Sequence, residues 1–516
     1  MKRVLTFTLA AIMAFSTLAG CGKGATGSTD SPSSSSAATS VSASQAASSK
    51  PQETVKLKAF ARTSGSNADW PNVNKKINEY LKDKINVEVD YQLIDFGSLS
   101  QQMSLIASSG ERADLITPHT TQLIPFSSQG ALVPMNDLLD QYGQGIRKLY
   151  DESILQSCAY EGQVYAIPTN REQAKGFGYY YRKDLNEKYK LGLDKADSYE
   201  KLEAAFQSAK AQNPALLGVL ASTSISPMNA TCDWDRIGND NFGVLMNMGK
   251  ELKIENLYTT DRYKEWITRM RKWNQAGYIS PEAVTISLNE RDGMGTGNVL
   301  GYFNNYKPGM ENELSRNCGQ EVARAPIAEG LSGLMTSQSI NNVSWAISRN
   351  TASKEHAMQL LNLMYTDATL VNMLCYGLEN EHYVFTDDTK KVIDYPAGVT
   401  AAAKKVDNGT GWQWGNQLLA YIWKGDSPTL WDDVSKYNAA APRSAALGFV
   451  FDNAKVQNEI TACTNVLAKY GPGLERGAVN PDEVLPEFQA ALKSAGIETI
   501  MAEKQAQLDK WAKTKK

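Results

Sequence analysis

Ten tryptophans, several set among carboxylates, amides and guanidinium groups, carry the strongest chemical signal in this sequence. Trp234 stands between Asp233 and Asp235, and Trp412 and Trp414 lie in Gly-Thr-Gly-Trp-Gln-Trp-Gly-Asn-Gln at 409–417. Tyr302-Phe-Asn304-Asn-Tyr306 joins aromatics to amides at a strand end, Trp70 follows the first strand, and Arg171 and Glu172 follow the stretch 162–168. Flat aromatic faces stack on the C–H patches of a polyol, while planar polar groups make paired hydrogen bonds to its hydroxyls. The candidate ligand-binding set is therefore Trp70, Arg171, Glu172, Asp233, Trp234, Tyr302, Asn304, Trp412 and Trp414. Other aromatics read as packing: Trp266 and Trp273 share a helical apolar face with Tyr263, Ile267 and Met270, and Trp423, Trp431 and Trp511 are core candidates. Trp345, in a predicted strand, reads equally as core or as ligand-facing.

Covalent and metal chemistry have weaker signals. The three histidines, His119, His356 and His382, are far apart in sequence, unlike the clustered ligands of transition-metal sites. His119 follows a predicted strand end and can reach a crevice, His356 reads as a helix surface or cap residue, and His382 as turn-stabilising or ligand-lining. Asp233-Trp-Asp235-Arg-Ile-Gly238 starts like a calcium loop, but Ile237 occupies a ligand position and Val244 the closing glutamate position. Gly293-Met-Gly-Thr-Gly297 lacks the last glycine and the helix of a dinucleotide fingerprint, and reads as a loop allowing close backbone approach. Ser198-Tyr-Glu-Lys201 matches a four-residue catalytic pattern, yet Ser198 reads as a helix cap. Glu172 and Asp233 are available as a sugar-hydrolysing carboxylate pair, which needs a separation of about 5–10 Å. No catalytic residue, metal or cofactor is assigned.

The elements that position these groups follow from periodicity. Residues 55–60 and 87–93 alternate as strands, 72–84 and 98–109 repeat at helical spacing, and 114–117 is a short apolar strand. A β-α-β-α-β order implies a parallel sheet with its crevice at the carboxyl ends of the strands, placing loops 62–70, 95–97 and 118–121 around one opening. A second unit starts near 162, with helices at 202–209 and 263–273 (Asp261 as N-cap) and short strands at 299–303 and 344–348. The chain is mainly helical from 353, with Asn480-Pro481 opening one late helix and 497–511 forming the last.

Lys2 and Arg3, an apolar run at 4–15 and Leu18-Ala-Gly-Cys21 form a secretory signal too short to span a bilayer. The Leu-Ala-Gly-Cys end resembles the bacterial lipobox, which implies cleavage before Cys21 and its lipidation. The Ser/Ala-rich stretch after it has too little apolar surface to order itself and is expected to be a disordered tether. A formal charge of −3 argues against nucleic acid as a partner. The mature chain has an odd number of scattered cysteines, Cys158, Cys232, Cys318, Cys375 and Cys463, so a disulfide framework is not expected, although a single pair stays open.

The segment 162–184 (Gly-Gln-Val-Tyr-Ala-Ile-Pro … Gly-Tyr-Tyr-Tyr-Arg-Lys-Asp-Leu) resembles the hinge region of extracellular solute-binding proteins of family 1, the carbohydrate-binding subunits of ABC importers. Segment 344–369 resembles that family's second crossover and helix, and stretches 376–384, 411–417 and 445–452 resemble its large LipO-like lipoproteins. One departure is Glu379-Asn-Glu381, where the pattern has Glu-Gly-Lys. The resemblance implies an α/β, two-lobed periplasmic-binding-protein-like fold, each lobe a mixed, mainly parallel sheet flanked by helices, joined by hinge crossovers. It implies a signal peptide at 1–20, a lipidated Cys and linker at 21–53, an N-terminal lobe from 54–167 and 348–405, and a C-terminal lobe from 168–347 and 406–516. The implied function is a monomeric receptor, membrane-attached by lipid alone, that closes on a carbohydrate, such as an oligosaccharide, and hands it to ABC permease subunits. A surface-anchored glycoside hydrolase and a same-fold receptor for a peptide or other non-sugar solute are the alternatives. Arg62, Arg171 and Lys175 are the cations available to an acidic sugar.

Overall fold

A computed structural model describes residues 53–516 except 296, 328, 329, 331, 390, 401, 402 and 516. The expected signal, Cys21 and nearly all of the linker lie outside the described residues.

The first lobe grows from alternation. Val55–Thr63 and Val87–Asp95 pair in parallel from Val55↔Val87 to Thr63↔Asp95, and Leu115–Ile116 pairs in parallel on the other side at Ala59↔Leu115. Ser344–Ile347 returns antiparallel between Leu115–Ile116 and Ile167–Pro168, completing five strands. The helix Trp70–Ile85 buries Trp70, Val73, Ile77 and Leu81, one face at three- and four-residue spacing. Leu99–Ser109 likewise buries Leu99, Met103 and Ile106. Both helices lie within two residues of their sequence expectations.

The second lobe has its own core. Gly176–Arg182, buried at every position, pairs antiparallel with Gly301–Tyr306 and Val322–Arg324, and parallel bridges form at Leu217↔Val299 and Val219↔Ile279. Trp273 stacks on Phe303 at 6.4 Å, with Trp266, Tyr199 and Phe206 around them, so the two helix-face tryptophans are core. Ser198 caps Tyr199–Gln212 through the Lys201 N–H, and Asn480 caps Pro481–Ser494 through the Asp482 N–H. Thr260, not Asp261, is the N-cap of Asp261–Gln275. The five described cysteines are buried, and Cys158, Cys232, Cys375 and Cys463 are free thiols.

The chain's last return to the second core comes later than residue 406. Val406, Trp414 and Ala420 belong to the first core, and the second core resumes at Ala446. Three apolar side chains that fit the first core outweigh the sequence break expected at 405.

Candidate functional site

The loops at the carboxyl ends of the first lobe's strands do converge. Arg62 is the next-to-last residue of the first strand and is only 4% exposed. Gln413 brackets its peptide, accepting from Arg62 N and donating to Arg62 O at 2.7 Å each. Its guanidinium donates to Pro118 O at 3.3 Å and lies 5.9 Å from the ring centres of both Phe96 and Trp412. Those rings sit 5.7 Å apart, and Phe96 is 47% exposed. Burial, with the Arg171 charge added, pulls Arg62 down to about 10. His119, on the neighbouring loop, is held below the usual imidazole value by burial and by Arg62. Asp407 fixes this corner, accepting from Ser64 N at 2.8 Å, Gly409 N at 3.1 Å and Thr63 Oγ1 at 3.1 Å.

The crossover after Pro168 carries charged groups of its own. Arg171 is ion-paired with Glu172, and Lys307 stands 3.9 Å from Glu172. Burial works to raise the Glu172 carboxyl, but the Arg171 and Lys307 charges overcome it and hold it below the ordinary range. Asn438 clasps the crossover, donating to Arg171 O at 2.7 Å and accepting from Gln173 N at 2.8 Å. Farther along, Lys175 opens on a cavity of about 260 Å³. Trp234, Arg236 and Asn305 line it from the second lobe, and Gln338 and Asn342 from the segment entering the strand Ser344–Ile347. The cavity thus lies between the two cores. Arg236 donates to Asn229 Oδ1 at 3.1 Å, and its buried Nε, like that of Arg62, has no partner among the described residues. Aromatic faces, amides and unsaturated guanidinium donors are the groups a polyhydroxylated ligand uses.

The nine sequence candidates divide. Trp412 stands with Arg62 and Phe96 at the mouth where the strand-end loops meet, Arg171 and Glu172 pair on the crossover, and Trp234 lines the cavity. Trp70 and Trp414 are corrected to core: Trp414, 2% exposed, is sandwiched between Trp70 at 6.0 Å and Trp345 at 5.7 Å. Trp345 donates to Gln413 O and Trp70 to Tyr91 O, so their indole N–H groups are satisfied inside the lobe. Tyr302 is also core, 1% exposed against Tyr180, in the part of its strand that is covered on both faces. Asn304 is spent on the Tyr302 hydroxyl at 3.2 Å, and its neighbour Asn305 reaches the cavity instead. Asp233 turns to Arg262 at 3.5 Å and is absent from the cavity lining.

Sequence reasoning marked the loop 95–97 but not Phe96; an aromatic between Asp95 and Gly97 at a strand's carboxyl end was the available signal. Arg236, Gln338 and Asn342 had none. His382 is turn-stabilising: it accepts from Leu378 N at 3.0 Å and meets Asp69 at 2.8 Å, while Glu381 takes a bond from Asn72 at 2.8 Å. Among the described residues no three His, Cys, Asp or Glu groups cluster as metal ligands.

Residues 67–370 match the family model described as bacterial extracellular solute-binding protein, and residues 445–513 match a domain of unknown function, DUF3502. A carbohydrate ABC transporter substrate-binding protein of Streptococcus pneumoniae serotype 4 is 27% identical over 450 residues, spanning 85% of this chain and 87% of that one. The crystal structure of the N-glycan transport solute binding protein NgtS from Streptococcus pneumoniae superposes with a TM-score of 0.80 at 25% identity, covering 90% of this chain and 100% of that one. Its complex with Man5GlcNAc gives 0.71 at 25% identity, covering 90% and 99%. FusA from Streptococcus pneumoniae bound to kestose shares the fold, with a TM-score of 0.60 at 16% identity over 89% of this chain and 100% of that one. Two cores with a lined cavity between them, joined to a family match over most of the first lobe and much of the second, place this chain among the bacterial extracellular solute-binding proteins.

Proposed function

We propose that this chain is an extracytoplasmic receptor that captures an oligosaccharide of the N-glycan class between its lobes and delivers it to an ABC importer. The observation that carries the reading is the cavity lined from both cores, together with the Arg62–Phe96–Trp412 group where the first lobe's strand-end loops meet. Contacts shared by two lobes stabilise the closed arrangement over the open one, which is the differential affinity that a binding-driven closure requires. Relatives named for carbohydrate and N-glycan transport support the ligand class. Cys21 is the proposed lipid attachment, permease subunits are the proposed partners, and the receptor acts as a monomer.

The receptor releases its ligand unchanged. Glu172 lies between Arg171 and Lys307, which keep it ionised, and Asp233 is engaged by Arg262, so neither is placed as the proton donor of a hydrolase pair. Titration calorimetry of the purified chain with Man5GlcNAc, a sialylated N-glycan and a fructooligosaccharide tests the class. Binding of an N-glycan without new reducing ends is the expected result; tighter binding of the fructan, or appearance of reducing ends, overturns it. Metabolic labelling with palmitate, lost in Cys21→Ala, tests the anchor.

A further inference from the structure

The segment 445–513, whose family has no assigned function, packs on the second core and contributes no residue to the cavity lining. One group in it is not explained by packing. Lys504, in the helix Ile497–Thr514, is 0% exposed. A buried ammonium is costly unless all its donors are used. Here all three are, and all by one loop: Gly243 O at 3.0 Å, Arg236 O at 3.1 Å and Asp240 Oδ1 at 2.9 Å. This is the loop that presents Trp234 and Arg236 to the cavity.

The loop carries backbone strain at one position. Ile237 has φ of 49°, a left-handed conformation that a β-branched residue avoids. Such strain persists only where the surroundings over-determine it. The Ile237 peptide is pinned from both sides: its N–H donates to Asp235 Oδ1 at 3.0 Å, and the preceding carbonyl accepts from Lys504. Within the same loop the Trp234 indole N–H donates to Asn241 Oδ1 at 3.0 Å. The cavity wall is therefore tied to a charge that belongs to the C-terminal helix.

We propose that Lys504 is a positioning residue for ligand recognition, and that the C-terminal segment serves as the strut that fixes Trp234 and Arg236 at the cavity. This deepens the oligosaccharide reading and rests on it for the ligand. In the full chain, Lys504→Met is expected to speed amide exchange across 236–243 and to weaken Man5GlcNAc binding on the order of tenfold. Propylammonium added to Lys504→Ala is expected to restore both. Leu492→Ala, a core truncation in the same segment without a bond to the loop, lowers Tm but leaves loop exchange and affinity at wild-type values. If Lys504→Met fails to fold, Asp240→Asn removes the one charged acceptor of the three and is expected to shift both readouts in the same direction by a smaller factor. Wild-type exchange and affinity in the Lys504 variant, or an equal loss of affinity in Leu492→Ala, overturn the strut. If the wild-type chain binds no N-glycan, the functional reading fails, and loop exchange with its propylammonium rescue alone decides the role of Lys504.

Discussion

Trp412 and Trp414 are two residues apart and do different work. Trp412 faces Phe96 and Arg62 at the mouth, whereas Trp414 fills a stack of three indoles. An aromatic contact contributes about 0.5–1.5 kcal/mol beyond its buried area, and 1.4 kcal/mol is a factor of ten in Kd. Phe96→Ala and Trp412→Ala are therefore each expected to weaken sugar binding by roughly three- to tenfold, with the unliganded Tm little changed, as read by calorimetry and thermal unfolding. Trp414→Ala is expected to cost about 3–5 kcal/mol of stability instead, measured by denaturant titration. If Trp414→Ala left the denaturant midpoint in place, the core assignment would be wrong. The sequence marks this segment as aromatic and turn-rich, and that much is legible. What it does not encode locally is direction. Trp412 lies inside the 3₁₀ turn Asn408–Gln413 and Trp414 leaves it with φ of −92° and ψ of 88°, so neighbours with the same chemistry part company. Likewise Tyr302 is buried and Asn305 reaches the cavity because the strand Gly301–Tyr306 leaves its cover between Phe303 and Asn305.

Elements with strong periodicity were legible in the sequence: the β-α-β-α-β start, the helix with Tyr263, Trp266, Ile267, Met270 and Trp273, and the Asn480-Pro481 cap. Of the crossovers, the strand at 344–348 was legible by pattern, but the first was not, because Ile167–Pro168 is only two residues long and is held by tertiary pairing. Gly415 shows how such a crossing is fixed. It has φ of 50°, Asn170 N donates to its carbonyl, and a Cβ there would run into Met364 O. Gly415→Ala is accordingly expected to lower Tm while Gly110→Ala, at an open helix end, has the smaller effect. The helix Gln457–Glu475 carries a pH signature. Burial raises the Glu475 carboxyl to about 7, against the opposing pull of Arg476 and Arg236. A carboxyl raised in the folded state stabilises below its unfolded pKa and loses that contribution as pH rises through about 7. Between pH 5 and pH 8 the wild-type chain is expected to lose about 1–3 kcal/mol more stability than Glu475→Gln. Parallel pH profiles of Tm for the two chains would remove this assignment.

At the scale of the whole molecule, the two largest apolar cores are separate, one assembled from residues before 168 and from 335 to 447, the other from 177 to 327 and 446 to 508. Among the described residues they share no β-ladder; the crossovers at 169–175, near Leu334 and around 440 are tied to one another by short pairs of backbone bonds, such as Lys175 N to Leu334 O with Leu334 N to Lys175 O. Joined this thinly, each core can unfold on its own, and a single two-state description is not guaranteed. A ligand seated between the lobes binds only when both are folded, so its binding energy is lost if either one opens. Saturation at a hundredfold Kd adds about 2.7 kcal/mol to that joint state. Scanning calorimetry of the unliganded chain is therefore expected to resolve two overlapping transitions. Addition of the bound oligosaccharide is expected to raise the lower one and merge the pair. A ligand that raised the transition of one core and left the other where it was would place the binding site inside a single lobe rather than between the two.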